Sequence, residues 1–136
     1  MTDGALVAKR LALIESCVAD LRREASPERL RSDIREQRFV EHTLQIAIQA
    51  ALDVASHVAS DERLGEPSTN RELFDLLARH GWITPALADT LRRMVGFRNV
   101  LVHGYDDVDL GVVEDVVVHR LGDLLAFVAA IRARMG

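Results

Sequence analysis

Aromatic residues, cysteine, proline and lysine are all scarce in this chain, and each shortage narrows what it can be. Only 4% of its 136 residues are aromatic while 49% are hydrophobic, so aliphatic side chains must build the core, which suits helix packed on helix. Trp82 and Phe97 are accordingly read as core residues rather than as platforms for stacking bases. The single cysteine, Cys17, sits on an apolar helix face with no partner in the chain, which fits a reducing cytoplasm. No Cys/His set has the spacing of zinc ligands and the five histidines are dispersed, so neither a metal nor a cofactor is expected. No apolar run approaches the roughly 18 residues of a membrane span. The opening Met1-Thr2-Asp3-Gly4 lacks the basic segment and apolar block of a secretory signal. A cytoplasmic protein with no membrane partner is expected.

What is present points to one domain, residues 1–136, long enough for a single core. The formal charge of −4 gives the whole molecule no attraction to nucleic acid, so any such contact must come from local charge. Every basic residue except Lys9 is arginine. Arg29, Arg31, Arg35 and Arg38 crowd the start of the second helix, where a solvated face explains them as well as a function does. Arg92 and Arg93 lie a turn or so before the segment Arg98–Tyr105 and are candidates for guiding phosphates.

Five helices account for almost the whole sequence. Leu6, Val7, Leu11, Ile14, Val18 and Leu21 give the first, Gly4 to Glu24, a wide apolar face. Ser26-Pro27 reads as a cap with proline at the first helical position, which predicts a second helix from Pro27 to Ser60. Thr69-Asn70-Arg71-Glu72 has the capping-box pattern and opens a short third helix that ends at Gly81. Thr84-Pro85 repeats the cap-then-proline device and starts the fourth, and Asp109 caps the fifth after a turn at Asp106-Asp107-Val108. The valines at 112–113 and 116–118 favour strands locally, yet Val113, Val117, Leu121, Leu124, Val128 and Ile131 keep helical spacing over too long a run for one.

The fourth helix carries the chemistry. Arg98 and Tyr105 share a stripe with Leu91, Met94, Val95, Leu101 and Val102, while Asn99 and His103 are an i, i+4 pair on the next stripe. An arginine within an apolar stripe needs a partner or a polar cleft, because an isolated buried charge is costly. The segment thus combines a fixed cation, a group titrating near neutrality, an amide and a phenol, the parts needed to hold and attack a phosphodiester. Spacing alone also allows a plain helix end, with Arg98 and His103 serving the last carbonyls and Gly104 as the stop. On the second helix, Asp53 and His57 form a further i, i+4 pair, either satisfying one another or acting behind the site, with Asp53 holding the Arg98 guanidinium.

The run Val95-Gly96-Phe97-Arg98-Asn99-Val100-Leu101-Val102-His103-Gly104-Tyr105 resembles the Arg-x4-His-x-Tyr motif of HEPN-domain toxins, most closely the HepT-like subfamily encoded beside a minimal nucleotidyltransferase (MNT) antitoxin. The stretch from Leu44 to Val58, with its Asp53 and His57, is similar to that family's second helix. Glu66-Pro67-Ser68-Thr69, Leu73 to Leu77 and Gly81 to Ala88 also fit, although Trp82 stands where a small aliphatic is usual and Gly104 where glutamate is frequent. The resemblance extends from about Leu6 to Ile131. It implies an all-α, five-helix HEPN bundle that forms a homodimer, with two motif helices meeting at one cleft. It implies a ribonuclease toxin in which Arg98 and His103 are catalytic, Asn99, Asp53 and His57 support them, and Tyr105 is adenylylated by the cognate MNT antitoxin. A helical module that binds nucleotide or RNA without cutting it is the alternative.

Overall fold

The computed structural model describes the backbone of residues 4–103 and 109–135, and the side chains of 4–100 and 109–135. Among these residues the chain is helical throughout its regular parts, with no strand. Helix α1 spans Gly4–Glu24, α2 Ile34–Asp61, α3 Glu72–Arg79 and α4 Pro85–His103. The segments Leu110–Asp115, Val116–Arg120 and Leu121–Met135 follow without a break and together form α5, whose middle segment is wound as a π-helix. That wider turn falls on the run Val116-Val117-Val118, so the valines did stay helical as their spacing required.

Helix α2 is the central strut: α1, α3, α4 and α5 all pack against it. Its buried positions Leu44, Ile48, Ala51, Ala55 and Val58 keep helical spacing, and alanines at such contacts let helix axes approach closely. Phe74 of α3 meets Phe127 of α5 edge to face, with ring centroids 5.9 Å apart, inside a mostly aliphatic core. Trp82 is buried as expected, but it carries the Arg134 guanidinium 4.6 Å above its ring. No described helix is long and apolar enough to cross a membrane.

The helix ends follow side-chain chemistry, in two places differently from expectation. Pro27–Arg29 makes only a 3-10 turn, and α2 starts at Ile34, not at Pro27. The reason is Asp33, whose carboxylate accepts the backbone N–H groups of Arg35 (2.9 Å) and Glu36 (3.4 Å), a stronger cap than Ser26 provides. Ser26 is instead tied by its own N–H to the Glu36 carboxylate at 2.7 Å. The box ahead of α3 is shifted by one residue: Glu72 accepts from the backbone N–H (2.8 Å) and hydroxyl (2.9 Å) of Ser68, not from Thr69. Other ends match. Gly81 takes the left-handed φ of 76° that stops α3, Thr84 Oγ1 accepts from Leu87 N (3.1 Å), and Asp109 caps α5 through Gly111 N (2.8 Å).

Candidate active site

Helix α4 lays Ala88, Leu91, Met94 and Val95 into the core, which stabilises its placement by about 1.5–3 kcal/mol for each large side chain buried. One turn further on, the same stripe delivers Arg98 to α2. The half-buried Arg98 donates from Nη2 to the amide oxygen of Gln49 and from Nη1 to Asn99 Oδ1 at 3.2 Å. Gln49 in turn donates from Nε2 to Asp53 Oδ1 at 3.0 Å, and the other carboxylate oxygen of Asp53 lies 3.5 Å from Arg10 Nε on α1. Four side chains from three helices therefore form one line, Arg10, Asp53, Gln49, Arg98, with Asn99 at its end.

This line answers the demand that an arginine in an apolar stripe find a partner, but the partner is not Asp53. The expected direct Asp53–Arg98 pair is replaced by a relay through Gln49. The i, i+4 partner of Asp53 is Gln49 on its N-terminal side rather than His57, and among the described residues no hydrogen bond joins Asp53 to His57. Half-buried His57 lies one turn further along α2. Arg98 Nε is buried and has no acceptor among the described residues. Asn99, expected to fix the His103 ring, is exposed and engaged by Arg98. His103 is the last residue of α4, five positions after Arg98; its side chain, and the whole of Gly104, Tyr105 and the following turn, lie outside the described residues.

The two flanking arginines are held by carboxylates. Arg92 lies 2.6 Å from Asp89 and 3.5 Å from Asp75, which commits it to an intramolecular cluster and weakens its reading as an RNA contact. Arg93 pairs with Asp89 at 3.2 Å but leaves 80% of its side chain exposed, so it retains surface for a phosphate. Phe97 packs against the core and also lines a cleft of about 210 Å³ between α4 and α5, together with Met94, Val112 and Val116. His42, His80 and His119 are exposed, as expected of surface residues. Arg29 and Arg31, in the turn ahead of α2, pair with Asp33 (2.8 Å) and Glu114 (3.9 Å) on a solvated face. Cys17 is buried, and that burial, aided by the Asp20 charge, pushes its thiol pKa up, which keeps it protonated and inert.

Gln49 and Arg10 were not singled out from the sequence. Gln49 had a signal, its i, i+4 spacing to Asp53. Arg10 and the 49-residue separation between Gln49 and Arg98 had none, because only the packing of α1, α2 and α4 brings them together.

The sequence profile described as "Ribonuclease HepT-like" matches residues 9–131, nearly the full length of this arrangement. The chain belongs to the HepT-like ribonuclease family. It is 33% identical over 129 residues, 94% of this chain and 97% of that protein, to the "mRNA nuclease HepT" of Shewanella oneidensis. A second relative, the "tRNA nuclease HepT" of Aphanizomenon flos-aquae, is 40% identical over 78 residues, 57% of this chain and 53% of that protein. Among solved structures, the tri-AMPylated Shewanella oneidensis HEPN toxin in complex with its MNT antitoxin superposes with a TM-score of 0.89, at 34% identity over 98% of this chain and 99% of that one. The all-α HEPN architecture and the ribonuclease class expected from the sequence both stand.

Proposed function

We propose that this protein is the toxin of a HEPN/MNT toxin–antitoxin pair, a cytoplasmic, metal-independent RNA endonuclease that works as a homodimer. The observation that carries the reading is the state of Arg98. It is fixed in direction by α2, yet its partners among the described residues are neutral amides, which leaves its positive charge for a phosphate. In the proposed reaction His103 removes the proton from a ribose 2′-hydroxyl and that oxygen attacks the adjacent phosphorus. The bond to the 5′-oxygen breaks, this oxygen takes up a proton from water, and a 2′,3′-cyclic phosphate remains. Arg98 stabilises charge on the non-bridging oxygens with its planar fork, and Asn99 and Arg93 contact the substrate nearby. DNA lacks the nucleophile and is spared. Asp53 acts through Gln49 rather than on Arg98 directly, and His57 stands behind the same face of α2.

The dimer gives the reading its geometry. Val100, 41% exposed on α4 between Arg98 and His103, is an apolar side chain that a second copy would cover. Two arginine and histidine pairs around one groove would make a locally basic cleft on a protein of net charge −4. The relatives' names give mRNA and tRNA, so RNA is the proposed substrate class. Arg98→Ala and His103→Ala should each lower RNA cleavage by about 10²–10⁴-fold with circular dichroism unchanged. EDTA should leave the parent's rate unaltered. Two variants that cut like the parent would remove the site assignment, and an EDTA-sensitive rate would remove the metal-free mechanism. A parent that binds RNA without cutting it would favour a binding module instead.

A further inference from the structure

We infer that Gln49 is a positioning residue whose neutrality is the functional point: it aims Arg98 without cancelling its charge, while Asp53 and Arg10 cancel one another behind it. The inference rests on the reading of Arg98 as the phosphate holder. Arg98 can only donate hydrogen bonds and an ionised Asp53 can only accept them. A side chain lying between the two must therefore accept on one side and donate on the other. Gln49 does so, with its oxygen on Arg98 Nη2 and its Nε2 on Asp53 Oδ1 at 3.0 Å. The two neighbours lock the amide in one orientation, so the oxygen facing Arg98 does not flip away.

Charge placement follows from the same line. Arg10 Nε lies 3.5 Å from Asp53 Oδ2, so the one carboxylate in the row is matched by the cation on α1. Summed along the line, Arg10 and Asp53 cancel, Gln49 contributes nothing, and among the described residues no carboxylate matches the charge of Arg98. A carboxylate directly on Arg98 would give as firm a hold but would compete with the RNA phosphate for the same donors. The amide avoids that competition, and the arrangement holds the guanidinium before substrate arrives, which lowers the ordering cost of binding.

The discriminating variant swaps the two groups, Gln49→Glu together with Asp53→Asn. Each replacement has the size of the original, the net charge of the protein is unchanged, and every hydrogen bond in the line can reform. Only the position of the carboxylate moves, from Arg10's side to Arg98. The assay is steady-state cleavage of a short single-stranded RNA, with affinity measured across a salt series and circular dichroism as the check on folding. Expected for the swap is a KM raised about tenfold or more, the scale of one charge-assisted hydrogen bond. Its salt dependence should also be shallower, by about 0.7 in the log–log slope for each RNA phosphate that the protein no longer neutralises. A merely structural role for Gln49 would leave both readings at the parent's values. Gln49→Met, which fills the same space without hydrogen bonds, should keep the salt slope and lower kcat by releasing the aim of Arg98. This second variant decides the matter if the swap fails to fold. Arg98→Ala runs alongside. If it is inactive while the swap and Gln49→Met both cut like the parent, this inference is overturned and the proposed function survives. If Arg98→Ala cuts like the parent, the reading of Arg98 falls and takes the inference with it.

Discussion

Single side chains in this molecule are placed by their first hydrogen-bonding opportunity, and that decides which of them the sequence exposes. Arg98 could be picked out because it interrupts an apolar stripe, and Asp53 because it lies at helical spacing from another polar group. Which partner each takes was not legible, since Asp53 had Gln49, His57 and a residue of another helix all within reach of its position. The carboxylates show the same logic in their pKa values. Backbone N–H donation, first from Arg35 and then from Glu36, outweighs the desolvation that opposes it and lowers the pKa of Asp33. Hydrogen bonds from Ser68 lower that of Glu72, and those from Arg132 lower that of Glu15. A carboxylate with a folded pKa below its unfolded one adds stability above the unfolded value and loses it as pH falls through the folded one. Glu41, raised by burial against the opposing charge of Arg38, runs the other way and offsets part of this. Denaturation midpoints should therefore be flat from pH 7 to about 5 and fall below about pH 4. Asp33→Asn should make that fall shallower. A parallel curve for the variant would mean that Asp33 does not contribute through its ionised cap.

Helices were easier to read than their ends. Spacing located all five, and a proline after a threonine marked the start of α4 correctly because Thr84 does accept from Leu87 N. The same device failed at Ser26-Pro27, where Asp33 offers two backbone N–H groups a better acceptor and Leu30 is buried in the turn between. Gly96 raises a question at this scale that the motif hides. It sits inside α4, two residues before Arg98, and a Cβ built there would meet the Arg71 guanidinium. That group is the far end of a flexible, exposed side chain, so it can move aside into solvent. Gly96→Ala should then stabilise the protein by the ordinary gain in helix propensity, about 0.5–1 kcal/mol, raising Tm by about 2–4 °C. RNA cleavage should persist, because Arg98 is aimed from α2 and not from Arg71. A lower Tm on thermal unfolding would show that the Arg71 contact with the bare helix is needed, and that glycine is there for packing.

Across the whole molecule the question is how such a nuclease is kept silent, and Tyr105 offers an answer. Tyr105 is two residues beyond His103, the end of α4, and a fully extended chain of two residues reaches only about 7 Å. Whatever path the backbone takes, the phenol-bearing residue is bound to the neighbourhood of the helix end that carries the proposed base. The related Shewanella oneidensis HEPN toxin was solved tri-AMPylated and in complex with an MNT antitoxin. On the proposed HEPN/MNT pairing, the hypothesis to test is that a cognate nucleotidyltransferase with ATP and Mg²⁺ adenylylates Tyr105. Each AMP would bring a phosphodiester charge to the end of α4, where the Arg98 cation would draw it in and lose its availability to RNA. In the proposed dimer two such groups would enter one groove, so modification of either protomer would obstruct both. Tyr105→Phe keeps the ring and removes the acceptor oxygen. Intact-mass measurement after incubation with the partner and ATP should show one or more AMP units on the parent and none on Tyr105→Phe. The modified parent should stop cutting RNA while the variant continues to cut in the presence of partner and ATP. An equal mass gain on both proteins would move the acceptor to another residue, and a fully modified parent that still cleaves would separate the modification from control of the site.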